Sequence, residues 1–141
     1  MKKWKRGVKT RSELRDEIIK ILYQIYILMD IKETYDVNEL IEQEIGSKPS
    51  FVVNTINDII LKQKDIEALA NKYLKNWDIN RLSKVDKAIL SLGIYELMYT
   101  DTPSIVCINE AINLSKKYSD LEVVKMINAT LDKIYKNETN K

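Results

Sequence analysis

The chain has 141 residues, of which 45% are apolar and 31% charged, and its formal net charge is +2. This composition is typical of a folded protein, and the length predicts a single domain over residues 1–141. With no histidine and one cysteine, a His/Cys zinc site, a Ser-His-Asp triad and an internal disulfide are excluded. No apolar run is long or early enough for a membrane span or a signal peptide, so we expect a cytoplasmic protein with no membrane partner.

Positive charge is concentrated at the amino terminus. The first eleven residues carry six basic side chains and no acid, whereas acids are dense between Glu33 and Glu44. A basic and flexible arm, residues 1–11, ahead of a mildly acidic body indicates a polyanion partner such as a nucleic acid. Trp4 in this arm can stack on an exposed base. A solubilising terminus without a binding role is the alternative interpretation.

Two helices are expected to follow the basic arm. Apolar residues recur at three- and four-residue spacing as far as Met29, and Ser12 is expected to cap the start of this first helix. A short second helix is expected to begin at Asp36 or Asn38. It ends at Gly46, because glycine accepts the left-handed conformation that stops a helix.

A longer helical stretch is predicted from Ser50 to Leu74. The charged segment 62–65 is expected to break this stretch into two helices, because apolar periodicity is interrupted there. A connection follows, in which Asp78 and Asn80 can bond the local backbone.

The next helix is expected to lie at the centre of the protein. Ser83 can cap it, and its residues are apolar on most faces, which is typical of a buried helix. Gly93 in its middle weakens a helix by about 1 kcal/mol relative to alanine. We therefore expect a second helix to cross closely at this glycine.

Two further helices are predicted towards the carboxyl terminus. Ser104 is expected to cap the first of them, with Ile105 on its inner side. Asp120 or Ser119 is expected to begin the last helix, in which Leu121 opens a buried apolar stripe.

These patterns predict an all-α protein of about seven helices with a flexible tail over residues 136–141. The low counts of glycine and proline, 3 and 2, agree with this class, because strand-rich folds need more turn residues. No catalytic or metal site is indicated: Glu39, Glu42 and Glu44 lack EF-hand spacing, and Cys107 fits a packed side chain. We therefore expect a binding protein rather than an enzyme, without a cofactor.

Three strings in the C-terminal half stand in a distinctive order and spacing: Asp86-Lys87-Ala88-Ile89-Leu90, Ile108-Asn109-Glu110-Ala111 and Ile127-Asn128-Ala129-Thr130-Leu131-Asp132-Lys133. Together they resemble the NusB family of bacterial transcription antitermination factors, and the resemblance covers essentially the whole chain. It implies a NusB-like fold of two perpendicular helical bundles. It also implies binding to single-stranded boxA RNA of nascent ribosomal transcripts with the ribosomal protein NusE, and indirect association with other Nus factors and RNA polymerase.

Charge and resemblance together assign RNA binding to eight residues: Lys5, Arg6, Lys9, Arg11, Arg15, Lys87, Met126 and Asn128. In the family an arginine-rich motif opens the first helix, and this chain retains Arg11 and Arg15 from it. Basic arms hold phosphates, with an affinity that falls as salt rises, whereas unstacked bases supply sequence preference. Arg15 and Lys87 are expected to be exposed. They are favoured as binding residues because packing does not require an exposed basic group.

The chain departs from the family pattern at five positions: Ser12, Glu13, Ser91, Met126 and Ala129. All five are expected on the RNA-binding face, so specificity for boxA is left open. The polar residues of the matching strings, including Asn128, can instead cap helices or bond between them. The alternative function is a protein-interaction scaffold of the same fold without specific RNA recognition, and formation of a homodimer is also left open.

Overall fold

The computed structural model describes residues 9–141, and this part of the chain contains helices and no strand. It has seven α-helices: α1 (Arg11–Asp30), α2 (Val37–Ile45), α3 (Ser50–Leu61), α4 (Gln63–Tyr73), α5 (Lys84–Tyr99), α6 (Ser104–Tyr118) and α7 (Leu121–Glu138). A short 3-10 helix, Ile79–Arg81, lies between α4 and α5. The prediction of an all-α protein with about seven helices is confirmed.

The chain divides into two compact units after Asn57. In the first unit, α1 packs against α2, and the apolar stripe of α1 is buried. In the second unit, α4, α6 and α7 pack against α5, in which every residue from Ala88 to Leu97 is buried. Helix α5 is therefore the central helix of the second unit, as its apolar faces indicated. Within residues 9–141, no helix combines the length and the apolar character that crossing a bilayer requires.

Local signals place the ends of α2 and the break after α3 correctly. Asp36 Oδ1 accepts a hydrogen bond from the backbone N–H of Glu39 at 3.1 Å and caps α2. Gly46 ends this helix with a φ of 83°, in the left-handed region that glycine adopts without strain. Lys62 separates α3 from α4, within the charged segment where the break was expected.

The caps and the close crossing predicted in the second unit are also present. Ser83 Oγ accepts a hydrogen bond from the backbone N–H of Asp86 at 3.1 Å, and Asp120 caps α7. A Cβ atom placed on Gly93 would lie 2.9 Å from Leu131 Cδ1 and 3.2 Å from Leu131 Cδ2. Only glycine therefore allows α5 and α7 to approach this closely without displacing the leucine.

Three expectations about the helix ends are wrong. Ser104 is the first residue of α6 rather than its cap, and its buried hydroxyl finds no hydrogen-bond partner among the described residues. Ile105 and Leu121 are 70% and 67% exposed, because each lies in the first turn of its helix, where fewer neighbours cover the side chain. Helix α7 continues to Glu138 and so includes half of the segment expected to be a tail.

Candidate nucleic-acid interface

The eight residues assigned to RNA binding fall into three groups along the chain. Two of them lie outside the described residues: Lys5 and Arg6. The other six lie at or just before the start of α1 in the first unit and on α5 and α7 in the second: Lys9, Arg11, Arg15, Lys87, Met126 and Asn128. Each unit therefore carries three of the described candidates.

A capping box fixes the start of α1. Thr10 Oγ1 accepts a hydrogen bond from the backbone N–H of Glu13 at 3.1 Å, and the Thr10 N–H donates to Glu13 Oε1 at 2.8 Å. This donation from the Thr10 backbone holds the pKa of the Glu13 carboxyl below its usual value. The prediction that Ser12 caps the helix is wrong, because the Thr-x-x-Glu pattern of a capping box begins two residues earlier.

Replacing Thr10 by alanine is expected to lower the free energy of unfolding by about 0.5–2 kcal/mol, the usual loss for a helix cap. Ser12→Ala, the matched control on the exposed first turn of the same helix, is expected to change it by less than about 0.5 kcal/mol. Thermal unfolding followed by circular dichroism measures both variants. A larger loss for Ser12→Ala than for Thr10→Ala would contradict the assignment of the cap.

Arg11 is an exposed cation held on an aromatic ring. Its Cζ lies 4.0 Å from the centroid of the Phe51 ring, and both residues belong to the first unit. Phe51 is half-buried in the first turn of α3, so the protein covers part of this residue. A guanidinium stacked in this way keeps its in-plane N–H donors available for an anion.

Arg15 is buried, which contradicts the expectation that it is exposed. The residue is only 5% exposed, and its Cζ lies 5.7 Å from the centroid of the same Phe51 ring. One turn of helix separates Arg15 from Arg11, and this turn carries the chain from the exposed end of α1 into the buried stripe. Arg15 therefore contributes to the packing of the first unit, and Arg11 presents its charge to solvent.

Lys9 forms an ion pair rather than standing alone. Its Nζ lies 3.5 Å from Glu17 Oε2, while Lys20 Nζ lies 3.4 Å from Glu17 Oε1. Two lysines thus share one buried carboxylate. Lysines at such positions attract phosphates at long range.

Lys87 is also less accessible than expected. Its side chain is 14% exposed, and Nζ lies 3.4 Å from Glu67 Oε2 and 2.8 Å from Asn80 Oδ1. The Asn80 side chain therefore bonds Lys87 and Glu67 instead of the local backbone, whereas Asp78 bonds the backbone as predicted. Lys87 must exchange or share its carboxylate partner before it can hold a phosphate.

Of the two candidate residues on α7, Met126 lines a groove in the second unit and Asn128 does not. Asn128 is exposed in the middle of α7, and its side chain makes no hydrogen bond to any residue from 9 to 141, so it has neither a capping nor an interhelical role there. Met126 is half-buried and lines a groove of about 290 Å³ with five other residues: Trp77, Leu82, Asp120, Glu122 and Val123. The exposed indole and the thioether give this groove an apolar surface against which a base can stack.

Ser91 does not lie on a binding surface. It is fully buried in α5, and its hydroxyl is 3.3 Å from Nε2 of Gln63. The expectation that Ser91 is on the RNA-binding face is therefore wrong. Ser12, Glu13 and Ala129 are exposed, and Glu13 is engaged in the capping box.

Phe51 and Trp77 are the two candidate residues that sequence reasoning missed. Phe51 contacts arginines about forty positions earlier in the chain, so no local pattern signals the pair. Trp77 is 55% exposed. A tryptophan in a connecting segment indicates a candidate binding residue, and this signal was present in the sequence. Within residues 9–141, no three acidic or cysteine side chains gather where they could hold a metal ion.

The family model and the similar proteins all carry the same family name. The model of the NusB family matches residues 12–136. A transcription antitermination protein NusB from Macrococcus caseolyticus is 38% identical over 129 residues, which are 92% of this chain and 98% of that protein. The protein of the same name from Helicobacter pylori is 34% identical over 133 residues, which are 94% and 96% of the two chains.

Solved structures show the same fold. NusB from T. maritima superposes with a TM-score of 0.80 at 30% identity and covers 92% of both chains. Antitermination factors NusB and NusE in complex with dsRNA include a chain with a TM-score of 0.75 at 23% identity, covering 89% of this chain and 96% of that one. The second likeness bears on the fold alone.

Proposed function

Because the chain belongs to the NusB family, we propose that it is a transcription antitermination factor that binds boxA RNA of nascent ribosomal transcripts together with NusE. The observation that carries the proposal is the 38% identity to an antitermination protein over 92% of the chain. A NusB of the same fold is found in a complex with NusE and double-stranded RNA. The proposal places the chain in the cytoplasm and assigns it no catalysis and no cofactor.

The geometry of the first unit supports the RNA part of this proposal. Arg11 presents a guanidinium at the exposed start of α1, as the last of the six basic residues in segment 1–11. Arginine matches the geometry of a phosphate with two parallel N–H donors, and the nearby lysines add attraction at longer range. Affinity is therefore expected to depend on salt, as it does when counterions are released from a nucleic acid.

The geometry of the second unit supports readout of bases. Asn128 offers an amide whose donors and acceptor have no partner within residues 9–141. Trp77 and Met126 line an open groove with an apolar surface. Single-stranded RNA is recognised through unstacked bases that stack on aromatic side chains and bond polar groups, and these residues supply both kinds of contact.

Fluorescence anisotropy with boxA-like and scrambled RNA of equal length tests the proposal. Binding is measured across a salt series, with and without NusE. We expect a preference for boxA, a further gain with NusE, and an affinity that falls with salt. Arg11→Glu is expected to weaken binding and to reduce the salt slope, because a phosphate contact is lost. Lys64→Glu, an equal charge reversal at an exposed position of α4, controls for net charge and is expected to have the smaller effect.

The alternative is a scaffold of the same fold that binds protein without specific RNA recognition. The observation that favours it is the loss of two expected surface cations: Arg15 is buried, and Lys87 is paired with Glu67. Equal and weak binding of boxA and scrambled RNA, even with NusE bound to the protein, would support the scaffold and contradict the RNA-binding proposal. Failure to bind NusE as well would contradict both.

A further inference from the structure

The Phe51 ring lies under the exposed guanidinium of Arg11, at 4.0 Å from its Cζ. We infer that Phe51 is a positioning residue for RNA binding, whose ring holds the Arg11 guanidinium so that its edge meets a phosphate of the RNA backbone. This inference rests on the proposed function. It adds an apolar residue to a binding surface that charge alone does not reveal.

Stacking and phosphate binding use different parts of the guanidinium. The ring attracts the flat face of the cation through its quadrupole, whereas the five N–H donors lie in the plane of the group. Arg11 is an exposed residue although its Cζ lies over the ring, so the side chain is accessible to a ligand from solvent. Because the side chain is already ordered, less conformational freedom is lost when a phosphate binds.

The ring itself is held in place from the protein side. Phe51 is half-buried in α3, and the buried Arg15 lies 5.7 Å from the same ring. Arg15 is only 5% exposed, so it contacts the ring from within the first unit rather than from solvent. Phe51 therefore links the packed part of the unit to the exposed cation.

A ring positions a cation without neutralising it. A carboxylate in the same place would compete with phosphate, as Glu67 does at Lys87. The acid of α1 that is closest to Arg11 in sequence, Glu13, instead accepts a hydrogen bond from the backbone N–H of Thr10 at 2.8 Å. The full charge of Arg11 is therefore retained for the RNA.

The experiment uses the fact that Phe51 is the only phenylalanine of the chain. Biosynthetic incorporation of fluorinated phenylalanine consequently changes this ring alone: one fluorine weakens its negative face, and five fluorines reverse the sign of that face with a modest increase in volume. We expect single-stranded boxA-like RNA to bind about two- to fivefold more weakly to the pentafluoro protein, the effect of an exposed cation–π contact. The monofluoro protein is expected to lie between, and Phe51→Tyr, which keeps an electron-rich ring, to bind as the unmodified protein does.

The matched control is the same ring series in an Arg11→Ala background. In this background fluorination is expected to have no further effect on RNA affinity, because the Arg11 guanidinium, whose contact with the ring fluorination weakens, is absent. Thermal unfolding of each protein separates loss of binding from loss of fold, and 19F NMR of the single ring reports whether its environment is intact. Fluorination is preferred to a substitution such as Phe51→Leu, because that substitution would remove packing contacts together with the aromatic ring.

Several results would overturn the inference. If Arg11→Glu weakens RNA binding but the pentafluoro protein binds normally, Arg11 acts without Phe51 while the proposed function stands. If fluorination weakens binding equally in the Arg11→Ala background, the ring acts on the RNA itself rather than through Arg11. If the unmodified protein binds neither RNA at low salt, the proposed function has failed, and the role of Phe51 with it.

Discussion

Arg15→Glu is expected to lower the free energy of unfolding by about 3 kcal/mol or more, whereas Arg11→Glu lowers it by about 0.5–1 kcal/mol, the loss of an exposed cation–π contact. Arg15 is 5% exposed, so the new carboxylate would lose its hydration without gaining the partners of the guanidinium. It would also lie close to the negative face of the Phe51 ring, which now attracts a cation. Arg11 is exposed, and water solvates either charge there.

Urea unfolding at constant ionic strength measures this contrast. Arg15→Lys, which keeps the charge but not the planar group, is expected to lie between the unmodified protein and Arg15→Glu. Equal stability of Arg11→Glu and Arg15→Glu would show that Arg15 reaches solvent, as the sequence alone had indicated. The contrast also decides the choice of RNA-binding variant: reversal of both arginines would combine loss of fold with loss of binding, so only Arg11 gives a clean test.

Helix ends that depend on local chemistry could be predicted from the sequence. Asp36 and Gly46 bound α2 because a capping carboxylate and a residue that tolerates positive φ are requirements of a few adjacent positions. The break at Lys62 follows from a loss of apolar periodicity over the same short range. The Thr10 cap was missed although its signal is equally local, because Ser12 lies closer to the first apolar residue.

Burial could be predicted for helix centres but not for helix ends. The stripes of α1 and α7 are buried as their spacing indicates, yet Ile105 and Leu121 are exposed. Periodicity defines which residues share a face, whereas the extent of cover on that face depends on where neighbouring helices begin and end. That information is tertiary.

The same limit explains the candidate site. Positive charge near Arg11 and the polar string around Asn128 were visible in the sequence, and the structure leaves both residues exposed. Three features of the site depend on contacts between residues 20 to 40 positions apart: the burial of Arg15, the ion pair of Lys87 with Glu67, and the position of Arg11 over the Phe51 ring. A basic residue in a helix is thus a candidate for binding only after its neighbours on other helices are known.

Leu131→Ala is expected to lower the free energy of unfolding by about 2–5 kcal/mol, the loss typical of a buried leucine. Leu131 is fully buried on α7, and both of its Cδ atoms lie over Gly93 of α5. Gly93→Ala alone is also expected to destabilise. Its Cβ would lie 2.9 Å from Leu131 Cδ1 and 3.5 Å from Ala111 Cβ, and overpacking costs about 1–3 kcal/mol, against a gain of about 1 kcal/mol in helix propensity.

The two substitutions together are expected to compensate. In the Leu131→Ala protein the space over Gly93 is empty, so the methyl group that Gly93→Ala adds fills part of the cavity. The gain in helix propensity of alanine over glycine is then not offset by overpacking. The double variant should therefore be more stable than Leu131→Ala by about 1 kcal/mol, a coupling of the size seen for contacting residues. Urea unfolding of the four proteins gives the coupling energy. Ile134→Ala, at a fully buried position one turn further along α7, is the matched background: there Gly93→Ala should still destabilise, because Leu131 remains in place. If Gly93→Ala changes the free energy of unfolding equally in the unmodified, Leu131→Ala and Ile134→Ala proteins, the contact between Gly93 and Leu131 does not limit how closely α5 and α7 approach.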